Sequence, residues 1–465
     1  MENKKENQKV PDMMQKLVSL SKRRGFVYPG SEIYGGLANT YDYGPLGIEL
    51  LRNITNEWWD FFITKRPEMF GMDSSILMSP KVWEASGHTQ RFNDALIDCK
   101  NCKLRTRADH LIENALPNEH VEGRTMDQLE EIITSNKIKC PSCGEVNWTK
   151  PRKFNLLFET HIGIVEEAMS LAYLRGEIAQ GMFVNFKNVV ESMRPRLPFG
   201  IGQFGSAFRN EITKGNFIFR TLEFKLAEFE YFFDSEKQDW KEVFEYWEGE
   251  MQKWIELMGV KHENLSWRTH TDEERSHYST LTKDLEYKFP FGTKELFGLA
   301  YRTDFDLRNH IEKSGADLRF VDPEDNKRKI VPHVVEPTFG VNRIFLVILA
   351  DAYCEEGERV ILKLNPKLAP YKAAVFPLVA NKEEIVGKAR EVFKTLSAEM
   401  SAAFDARGNI GKRYYSQDEI GTPYCVTVDY QTIEDGTVTL RERDSAQQER
   451  VKVEDLKAKL KENLG

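Results

Sequence analysis

The chain has 465 residues, which is too long for a single compact core, so we expect two or three domains. Hydrophobic residues make up 41% of the sequence and charged residues 30%, as in ordinary water-soluble globular proteins. The net charge of −8 argues against a general nucleic-acid coat protein, although local basic patches would suffice for one specific nucleic-acid partner.

The first part of the sequence predicts a protein without a membrane anchor. No apolar run approaches the length of a membrane span, and the opening residues, MENKKENQKVPDMMQ, are too polar for a secretory signal. We therefore expect a cytoplasmic protein with no membrane partner. Residues Met13 to Arg24 have the spacing of a short amphipathic helix, and a longer helix is predicted from Pro45, with apolar residues at Leu46, Leu50 and Ile54.

Four of the six cysteines form two Cys-x-x-Cys pairs, Cys99 with Cys102 and Cys140 with Cys143. Each pair places two thiolates within reach of one tetrahedral ion, so the two pairs together predict a structural Zn²⁺ site. Four unligated surface thiols are the weaker alternative, and six cysteines in a chain of this length do not indicate a disulfide framework. We expect the metal to hold together a polar insertion with little core of its own, helical from Met126 to Ile133.

Helices are also predicted over Glu166 to Tyr173 and over Trp240 to Met258, where apolar residues recur at helical spacing. The first of these segments lies between the second cysteine pair and the next predicted strand. The second follows a strand pair that carries most of the unusual chemistry of the sequence.

That strand pair is predicted between Phe199 and Phe233, with a polar loop that contains Gly215 and Asn216. The even-numbered positions of its second strand share one face. This face carries Arg220, Leu222, Phe224, Leu226, Glu228 and Glu230. Guanidinium groups bind phosphate, a flat ring stacks on a base, and carboxylates bind a cation or an amino group, so the face predicts a nucleotide site built on a sheet. An edge hairpin with its charges in water is the alternative, but it does not explain why Arg209, Arg220 and Phe224 converge.

A second phosphate-binding position is predicted farther along the chain. Val331 to Phe339 has the pattern of a strand that enters a turn, and an apolar helix with Arg343 in its first turn follows. The exposed N–H groups and the positive dipole end of a helix N-terminus favour phosphate. A generic strand-turn-helix unit is the alternative.

From Tyr371 onward, strands alternate with helices, which predicts a small α/β domain. An amphipathic helix is predicted from Lys382 to Phe404, and strands and turns are predicted from Arg413 onward. Two basic pairs, Lys412 with Arg413 and Arg441 with Arg443, are candidate nucleic-acid contacts, although solvated surface charge explains each pair equally well.

Several of these stretches resemble motifs of the class II aminoacyl-tRNA synthetases. Phe208-Arg209-Asn210-Glu211, a loop and then FIFRTLEF resemble motif 2, and Gly340-Val-Asn-Arg343 resembles motif 3. Further matches are WEASGHTQRF (83–92), RADHL (107–111) and LRGEIAQ (174–180). Over nearly its whole length the chain is similar to the glycyl-tRNA synthetase family of the homodimeric type.

The resemblance implies an α+β fold, in which the antiparallel sheet of class II synthetases is flanked by helices. A zinc-knuckle insertion and a C-terminal α/β anticodon-binding domain complete it. The implied division is residues 1–95 for the first part of the catalytic domain with motif 1, 96–152 for the insertion, 153–364 for the catalytic domain with motifs 2 and 3, and 371–465 for the anticodon-binding domain.

The resemblance also implies a function, a glycine–tRNA ligase that uses ATP and Mg²⁺ and carries a structural Zn²⁺. Glycine would be activated to glycyl-adenylate and transferred to the terminal adenosine of tRNA(Gly) by a homodimer that binds no DNA. The alternative is a non-catalytic relative that binds tRNA or acts as an accessory protein. Such a relative would be expected to lose the arginines of motifs 2 and 3, and this chain keeps them.

By the same resemblance, Arg209 and Arg343 are the catalytic residues. Arg209 clamps the α-phosphate, Glu211 accepts from the adenine amino group, and Phe224 and Arg343 cover the two faces of adenine. The implied ATP-binding set is Arg209, Asn210, Glu211, Phe219, Arg220, Thr221, Leu222, Glu223, Phe224, Glu295, Leu296, Gly340, Val341, Asn342 and Arg343. The implied glycine-binding set is Arg107, Glu177, Phe224, Lys225, Leu226, Ala227, Glu228, Glu336, Pro337, Thr338, Phe339 and Gly340.

Three carboxylates of the glycine set, Glu177, Glu228 and Glu336, are expected to surround the ammonium group of glycine. The chain departs from the usual family pattern at Ile178, where Thr is common, and at Asn342, where Asp is common. Thr338 replaces the usual Ser and keeps its hydroxyl. Leu226 lies where some members carry Gln.

Overall fold

The computed structural model describes residues 12–116, 119, 121, 124–163, 170–211, 215–272, 274–275 and 278–464. The centre of the larger part is a seven-stranded sheet, hereafter the central sheet. Its strands are β1 Met69–Met72, β2 Phe199–Phe208, β3 Glu223–Phe233, β4 Leu265–Thr269, β5 Leu281–Phe289, β6 Gly292–Thr303 and β7 His333–Gly340. They lie in the order β4-β5-β6-β7-β3-β2-β1, and every pair except β1–β2 is antiparallel. The predicted antiparallel sheet flanked by helices is confirmed.

Six helices accompany the central sheet: α1 Met13–Arg24, α2 Pro45–Trp59, α3 Ala179–Met193, α4 Trp240–Leu257, α5 Phe305–Ser314 and α6 Val341–Ala352. The main core lies between the sheet and α2, α4 and α6, where Trp58, Trp247 and Trp254 are fully buried. A second core lies on the opposite face, where Phe183 and Phe186 of α3 pack against the sheet. The predicted helices at Met13, Pro45 and Trp240 are thus present.

Alternation along β3 separates the two faces of the sheet. Ala227, Phe229 and Phe233 point into the main core. Leu226, Glu228 and Glu230 occupy the even positions and are buried on the other side. The even positions therefore form the floor of a cavity beside α3.

The second strand of the motif 2 hairpin is shorter than predicted. Phe217–Phe219 is a single 3₁₀ turn, and the strand begins only at Glu223, so Arg220 and Leu222 precede it. Asn216 and Phe217 both have positive φ angles, +36° and +60°, which interrupt an extended chain. The predicted loop lies in part outside the described residues.

The predicted helix at Glu166 to Tyr173 is wrong where it can be examined. Ser170–Leu174 is a strand that pairs with Leu77–Met78 and Glu159–Ile162. Residues 166–169 of that prediction lie outside the described part of the chain.

The cysteine insertion is built on a three-stranded sheet in which Asn93–Asp98 pairs with both Arg105–Arg107 and Arg152–Asn155. Helices Ala108–Ala115 and Met126–Ser135 pack on it, and the predicted helix at Met126 is present. The expectation of little core is wrong, because Ile97, Leu111, Ile112, Leu129 and Ile133 belong to one buried apolar cluster.

Short elements complete this part of the chain. They are helices Pro80–Ala85 and His88–Arg91, the 3₁₀ turns Glu32–Tyr34 and His262–Asn264, and a π-helical turn Asp60–Thr64 that extends α2. The remaining strand pairs are Val27–Pro29 with Tyr41–Tyr43, Phe320–Val321 with Lys329–Ile330, and Tyr353–Glu356 with Arg359–Leu362.

The C-terminal domain is α/β, as predicted. Its five strands lie in the order Ala402–Phe404, Ala373–Pro377, Tyr424–Val428, Thr437–Glu442 and Gln448–Lys452. Its helices are Glu383–Ser397, Ile410–Asp418, Tyr430–Asp435 and Val453–Leu464. Two details of the prediction are wrong: the first helix ends at Ser397, and the segment from Arg413 continues a helix.

The two basic pairs of this domain are largely structural. Arg413 is buried and donates to the carbonyls of Pro377, Arg407 and Gly408. Arg441 and Arg443 are buried as well, and Lys412 is the exposed member of the four. Among the described residues, no helix combines the length and the apolarity needed to cross a bilayer.

Candidate active site

A cavity of about 380 Å³ opens on the face of the central sheet that carries the even positions of β3. This volume falls in the range of small-molecule sites. Seventeen predicted site residues line the cavity: Arg107, Glu177, Arg209, Glu211, Phe219, Arg220, Thr221, Phe224, Lys225, Leu226, Glu228, Glu295, Glu336, Thr338, Gly340, Asn342 and Arg343. Residues from separate stretches of the sequence therefore meet at one place.

Eight predicted site residues do not line the cavity: Asn210, Leu222, Glu223, Ala227, Leu296, Pro337, Phe339 and Val341. Ala227, Leu296, Phe339 and Val341 lie in the main core. The backbone N–H of Asn210 donates to the carbonyl of Leu156, so Asn210 helps to hold the edge of the cavity.

One half of the cavity presents guanidinium groups and aromatic rings. The Arg209 guanidinium lies 5.2 Å from the ring centroid of Phe224, and its Nε donates to the carbonyl of Gly176 at 3.0 Å. The Arg343 guanidinium lies 4.5 Å from the ring centroid of Phe219. Cation–π contacts and the Gly176 carbonyl hold these flat cations in place.

Arg343 is also paired with a carboxylate of the cavity wall. Its Nη1 lies 2.9 Å from Glu295 Oε2 and donates to the Glu295 carbonyl at 2.9 Å. Burial raises the pKa of Glu295, but the attraction and hydrogen bond of Arg343 outweigh it, so the pKa lies below its usual value. Glu295 is therefore an ionised carboxylate beside Arg343.

The rim of this half is held by Arg107. Its Nη1 lies 3.0 Å from Asp94 Oδ1, and Asp109 accepts two hydrogen bonds from its guanidinium. Glu211 lies nearby, and its Oε2 is buried without a hydrogen-bond partner among the described residues. A buried carboxylate oxygen of this kind is a ready acceptor for a ligand N–H.

The other half of the cavity presents buried carboxyl groups. Thr338 Oγ1 lies 2.7 Å from Glu228 Oε1 and 3.1 Å from Glu336 Oε1, while Arg302 Nη1 donates to Glu336 Oε2 at 2.5 Å. One oxygen from each of Glu228, Glu230 and Glu336 lies within 4.8 Å of the others. Carboxylates this close repel one another unless a proton or a cation neutralises part of their charge.

The electrostatics distinguish these carboxyl groups. Burial opposes ionisation of Glu177, but attraction and a hydrogen bond from His88, with further attraction from Arg302, hold its pKa well below the usual range. Burial, followed by repulsion from Glu336, raises the pKa of Glu228 well above the usual range. Glu177 therefore favours its ionised form, whereas Glu228 retains a proton more readily in the free protein.

Comparison with known proteins decides the family. A family model described as "tRNA synthetase class II core domain (G, H, P, S and T)" matches residues 166–352. "Anticodon binding domain" matches residues 372–463, and "Glycyl-tRNA synthetase insertion domain 1" matches residues 118–156. The chain is 49% identical over 460 residues to the glycine–tRNA ligase of Bacillus anthracis, covering 97% of this chain and 99% of that protein. It is 50% identical over 462 residues to the glycine–tRNA ligase of Staphylococcus aureus (strain Newman), covering 97% and 98%.

The chain belongs to the glycine–tRNA ligase family. The resemblance seen in the motifs and the class II fold with its anticodon-binding domain are confirmed. The predicted function, a glycine–tRNA ligase of the aminoacyl-tRNA synthetase class, is confirmed as well.

Two residues beside the ligase cavity were missed from the sequence. Arg302 is 1% exposed and binds Asp306 with two hydrogen bonds of 2.8 Å in addition to its contact with Glu336. His88 has its Nε2 3.0 Å from Glu177 Oε2. A basic residue at the end of an apolar stretch, FGLAYR (297–302), was the signal available for Arg302, and the matched stretch WEASGHTQRF was the signal for His88.

Departures from the usual ligase pattern are accommodated locally. Ile178 and Leu226 pack against each other with Ala207 in one small buried cluster, and Phe224 lies against it. Asn342 Oδ1 accepts the backbone N–H of Lys225 at 3.0 Å, so the amide supplies the acceptor that a carboxylate would supply.

The cysteines of the insertion form one compact group. Cys99 Sγ lies 3.6 Å from Cys143 Sγ, and Cys102 Sγ lies 3.6 Å from Cys140 Sγ. A tetrahedral Zn²⁺ with Zn–S bonds of about 2.3 Å has S···S edges of roughly 3.8 Å. The four sulfur atoms lie within 4.8 Å of one another and fit such an ion.

Proposed function

We propose that the cavity binds ATP and glycine side by side, joins them as glycyl-adenylate, and passes glycine to the terminal adenosine of tRNA(Gly). The observation that carries this proposal is the division of one cavity into a guanidinium-and-ring half and a buried-carboxylate half. The first half suits a nucleoside triphosphate, and the second half suits an ammonium group.

In the nucleotide half, Arg209 binds the α-phosphate and Phe224 stacks on one face of adenine. Arg343 covers the other face and reaches the distal phosphates. Glu211 accepts a hydrogen bond from the adenine amino group, which is supported by its unpartnered buried oxygen among the described residues. Arg220 and Phe219 complete the wall, and the remaining ATP-set residues act through their backbone or by supporting the wall.

Adenylate formation then needs positioning and charge neutralisation rather than a side-chain nucleophile. A glycine carboxylate oxygen attacks the α-phosphorus in line, and the bond to pyrophosphate breaks. In the second step the tRNA hydroxyl oxygen attacks the glycyl carbonyl carbon, and AMP leaves. Arg209 and Arg343 stabilise the charge that develops on the phosphates.

Mg²⁺ use follows from the family, and the cavity wall contains a suitable oxygen ligand. Glu295 is a carboxylate beside Arg343, and Asp284 lies in the same wall. Glu295 would hold Mg²⁺ together with phosphate oxygens, because Mg²⁺ prefers oxygen ligands. When bound, the ion neutralises phosphate charge.

In the glycine half, Glu177, Glu228 and Glu336 receive the ammonium group, and Thr338 orients the last two. Leu226 and Phe224 leave little space for a side chain on the amino acid. Selection of glycine by exclusion needs no editing site. Arg107, which the resemblance assigns to glycine, lies at the rim of the nucleotide half, where Asp94 and Asp109 hold it in place.

Several broader features belong to the same proposal: the four cysteines hold structural Zn²⁺, the chain is a cytoplasmic homodimer, and its domains divide at 1–95, 96–152, 153–364 and 371–465. Zinc analysis of the purified protein tests the metal. One equivalent per chain is expected, and Cys143→Ser should abolish it, whereas Cys354→Ser, which alters a cysteine outside the group, should not.

Glycine-dependent exchange of pyrophosphate into ATP tests the central proposal. We expect exchange with glycine and none with alanine, serine or threonine. Arg343→Ala should lower exchange, whereas Arg319→Ala, which removes an exposed arginine that pairs with the neighbouring Asp317, should leave it unchanged. Absence of exchange with every amino acid would instead favour a non-catalytic tRNA-binding protein.

A further inference from the structure

Glu230 is a carboxyl group that the proposed mechanism does not use. It lies on β3, two residues after Glu228, and none of its surface is exposed. Neither of its carboxyl oxygens has a hydrogen-bond partner among the described residues. An ionised carboxylate without partners is very costly in such a place.

The sheet register places Glu230 against a second carboxyl group. Glu228 is opposite Thr338, and Tyr231 is opposite Val335, so the same antiparallel register puts Glu230 opposite Glu336 of β7. Like charges directly opposite each other on neighbouring strands repel. One oxygen of Glu230 lies within 4.8 Å of oxygens of both Glu228 and Glu336.

The neighbouring cation is already engaged. Arg302 donates twice to Asp306 of α5 and once to Glu336. On the side of α3, Gln180 donates to Glu177 and Asp306. Arg302 is therefore shared by Glu336, Asp306 and, through attraction, Glu230. Arg175 is the guanidinium that attracts Glu228, and Glu177 has His88 as its own partner.

The ammonium group of a bound glycine would add one positive charge beside these carboxyls, while its carboxylate would face the α-phosphate, so a surplus of buried negative charge remains around Glu230. A proton on Glu230 removes part of this surplus and turns an acceptor into an O–H donor. Burial, followed by repulsion from Glu336, also raises the pKa of Glu230 well above its usual value.

We propose that Glu230 is a positioning residue that remains a neutral carboxylic acid and donates its O–H to the Glu228–Glu336 pair, holding those carboxylates toward the ammonium group of glycine. The inference rests on the proposed function, because that function makes Glu228 and Glu336 the ammonium ligands. The acid contributes a hydrogen bond and shape, and its negative charge is not required.

Two substitutions separate a hydrogen-bond donor from a charge. Glu230→Leu removes the donor at similar volume and should raise the KM for glycine about tenfold or more, since hydrogen bonds to charged groups are worth about 1.5–3 kcal/mol. Glu230→Gln restores a neutral donor and should return the KM for glycine to within about threefold of the parent value. The KM for ATP should stay unchanged in both, and melting curves identify any variant that fails to fold.

Glu228→Gln is the matched comparison, because it removes a proposed ammonium ligand on the same strand. If Glu230→Gln is as defective as Glu228→Gln, Glu230 acts as a charge and the inference is overturned. If Glu230→Leu retains the parent KM for glycine, Glu230 positions nothing and the inference is likewise overturned.

Infrared spectroscopy provides a measurement independent of activity. At neutral pH with glycine bound, where the ammonium group favours the ionised form of Glu228, the parent protein should show the carbonyl stretch of a protonated carboxylic acid, and Glu230→Gln should lose it. Glu242→Gln, which alters an exposed carboxylate in the first turn of α4, should keep the band. The parent protein could lack glycine-dependent exchange of pyrophosphate into ATP and still show a band that Glu230→Gln loses. In that case the proposed function fails, but the protonation of Glu230 is supported. A parent protein without the band overturns the inference.

Discussion

Arg209 illustrates how a single side chain serves two contacts in the nucleotide half. Its guanidinium group lies near the rings of both Phe92 and Phe224, at 5.1 and 5.2 Å from their centroids. Its edge remains available for a phosphate, which a planar fork of donors binds in a fixed geometry. Under the proposed assignment, stacking and phosphate binding therefore depend on the shape of the group as well as on its charge.

Arg209→Lys should therefore impair the ligase although it keeps the positive charge. Lysine cannot stack as a plane or donate as a fork, so we expect a loss of about 100-fold in kcat/KM for ATP in pyrophosphate exchange, or roughly 3 kcal/mol. Arg407→Lys, at an exposed arginine of the C-terminal domain, is the control. A loss below about threefold would mean that charge alone suffices at position 209.

The protonation of Glu228 predicts how glycine binding depends on pH. In the free protein, burial and Glu336 raise its pKa, whereas the ammonium group favours its ionised form. As pH rises above the usual carboxyl range, Glu228 loses its proton and the KM for glycine should fall, while the KM for ATP stays flat. The measurement is the KM for both substrates between about pH 5.5 and 8, where Glu228→Gln should show a weaker slope for glycine than the parent protein. A KM for glycine that rises with pH would contradict the assignment.

At the scale of elements, the motif 2 hairpin marks the limit of sequence-based prediction. The even-numbered face of β3 was predicted from alternation alone, because Glu228 and Glu230 on a buried strand require a reason. The start of β3 was not predicted correctly. Phe217 and Ile218 have high strand propensity, but they lie in a 3₁₀ turn and are buried in the main core. Burial against distant residues determines the conformation of Phe217 and Ile218, and the local sequence pattern does not predict that burial.

The contacts of Arg302 and His88 were unpredictable for a related reason. Each has a partner far away in the sequence, Glu336 for Arg302 and Glu177 for His88, although Arg302 also binds Asp306 four residues further on. The same holds for Arg441, whose partner Asp418 lies on a helix that was predicted as strand and turn. Sequence motifs therefore identify residues that line the cavity, whereas the contacts that support those residues can be identified only from the folded structure.

Ile178 and Leu226 join the segment before α3 to β3 and should behave as a pair. Leu226→Gln alone places an amide against the fully buried Ile178, where it has no predicted donor or acceptor, and should cost about 1–3 kcal/mol of stability. Ile178→Thr supplies a hydroxyl, so the double variant should recover at least half of that loss. A double-mutant cycle on melting temperature, with glycine KM as a second readout, measures the coupling. Strict additivity would show that the two departures are independent.

At the scale of the whole molecule, the C-terminal domain is joined to the synthetase part through buried polar contacts. Asp418 is fully buried and accepts from Arg359 at 2.7 Å and from Arg441 at 2.9 and 3.1 Å. Arg359 belongs to the strand pair after α6, and Arg443 donates to the carbonyl of Leu364 between the two parts. Glu419, the next residue after Asp418, receives Arg23 and Arg24 from the end of α1.

Asp418→Ala should separate the two reactions of the ligase. It leaves two guanidinium groups without their buried anion, and breaking such a pair costs about 3–5 kcal/mol. None of these groups lines the cavity, so pyrophosphate exchange with glycine should persist, while charging of tRNA(Gly) should fall because the C-terminal domain no longer keeps its position. Exchange, charging and the melting transition of that domain are measured on the same preparation. Asp317→Ala, at an exposed ion pair with Arg319, controls for loss of a carboxylate and should leave the melting transition nearly unchanged, because exposed ion pairs contribute little to stability. Equal loss of exchange and charging in Asp418→Ala would show that the two parts unfold together.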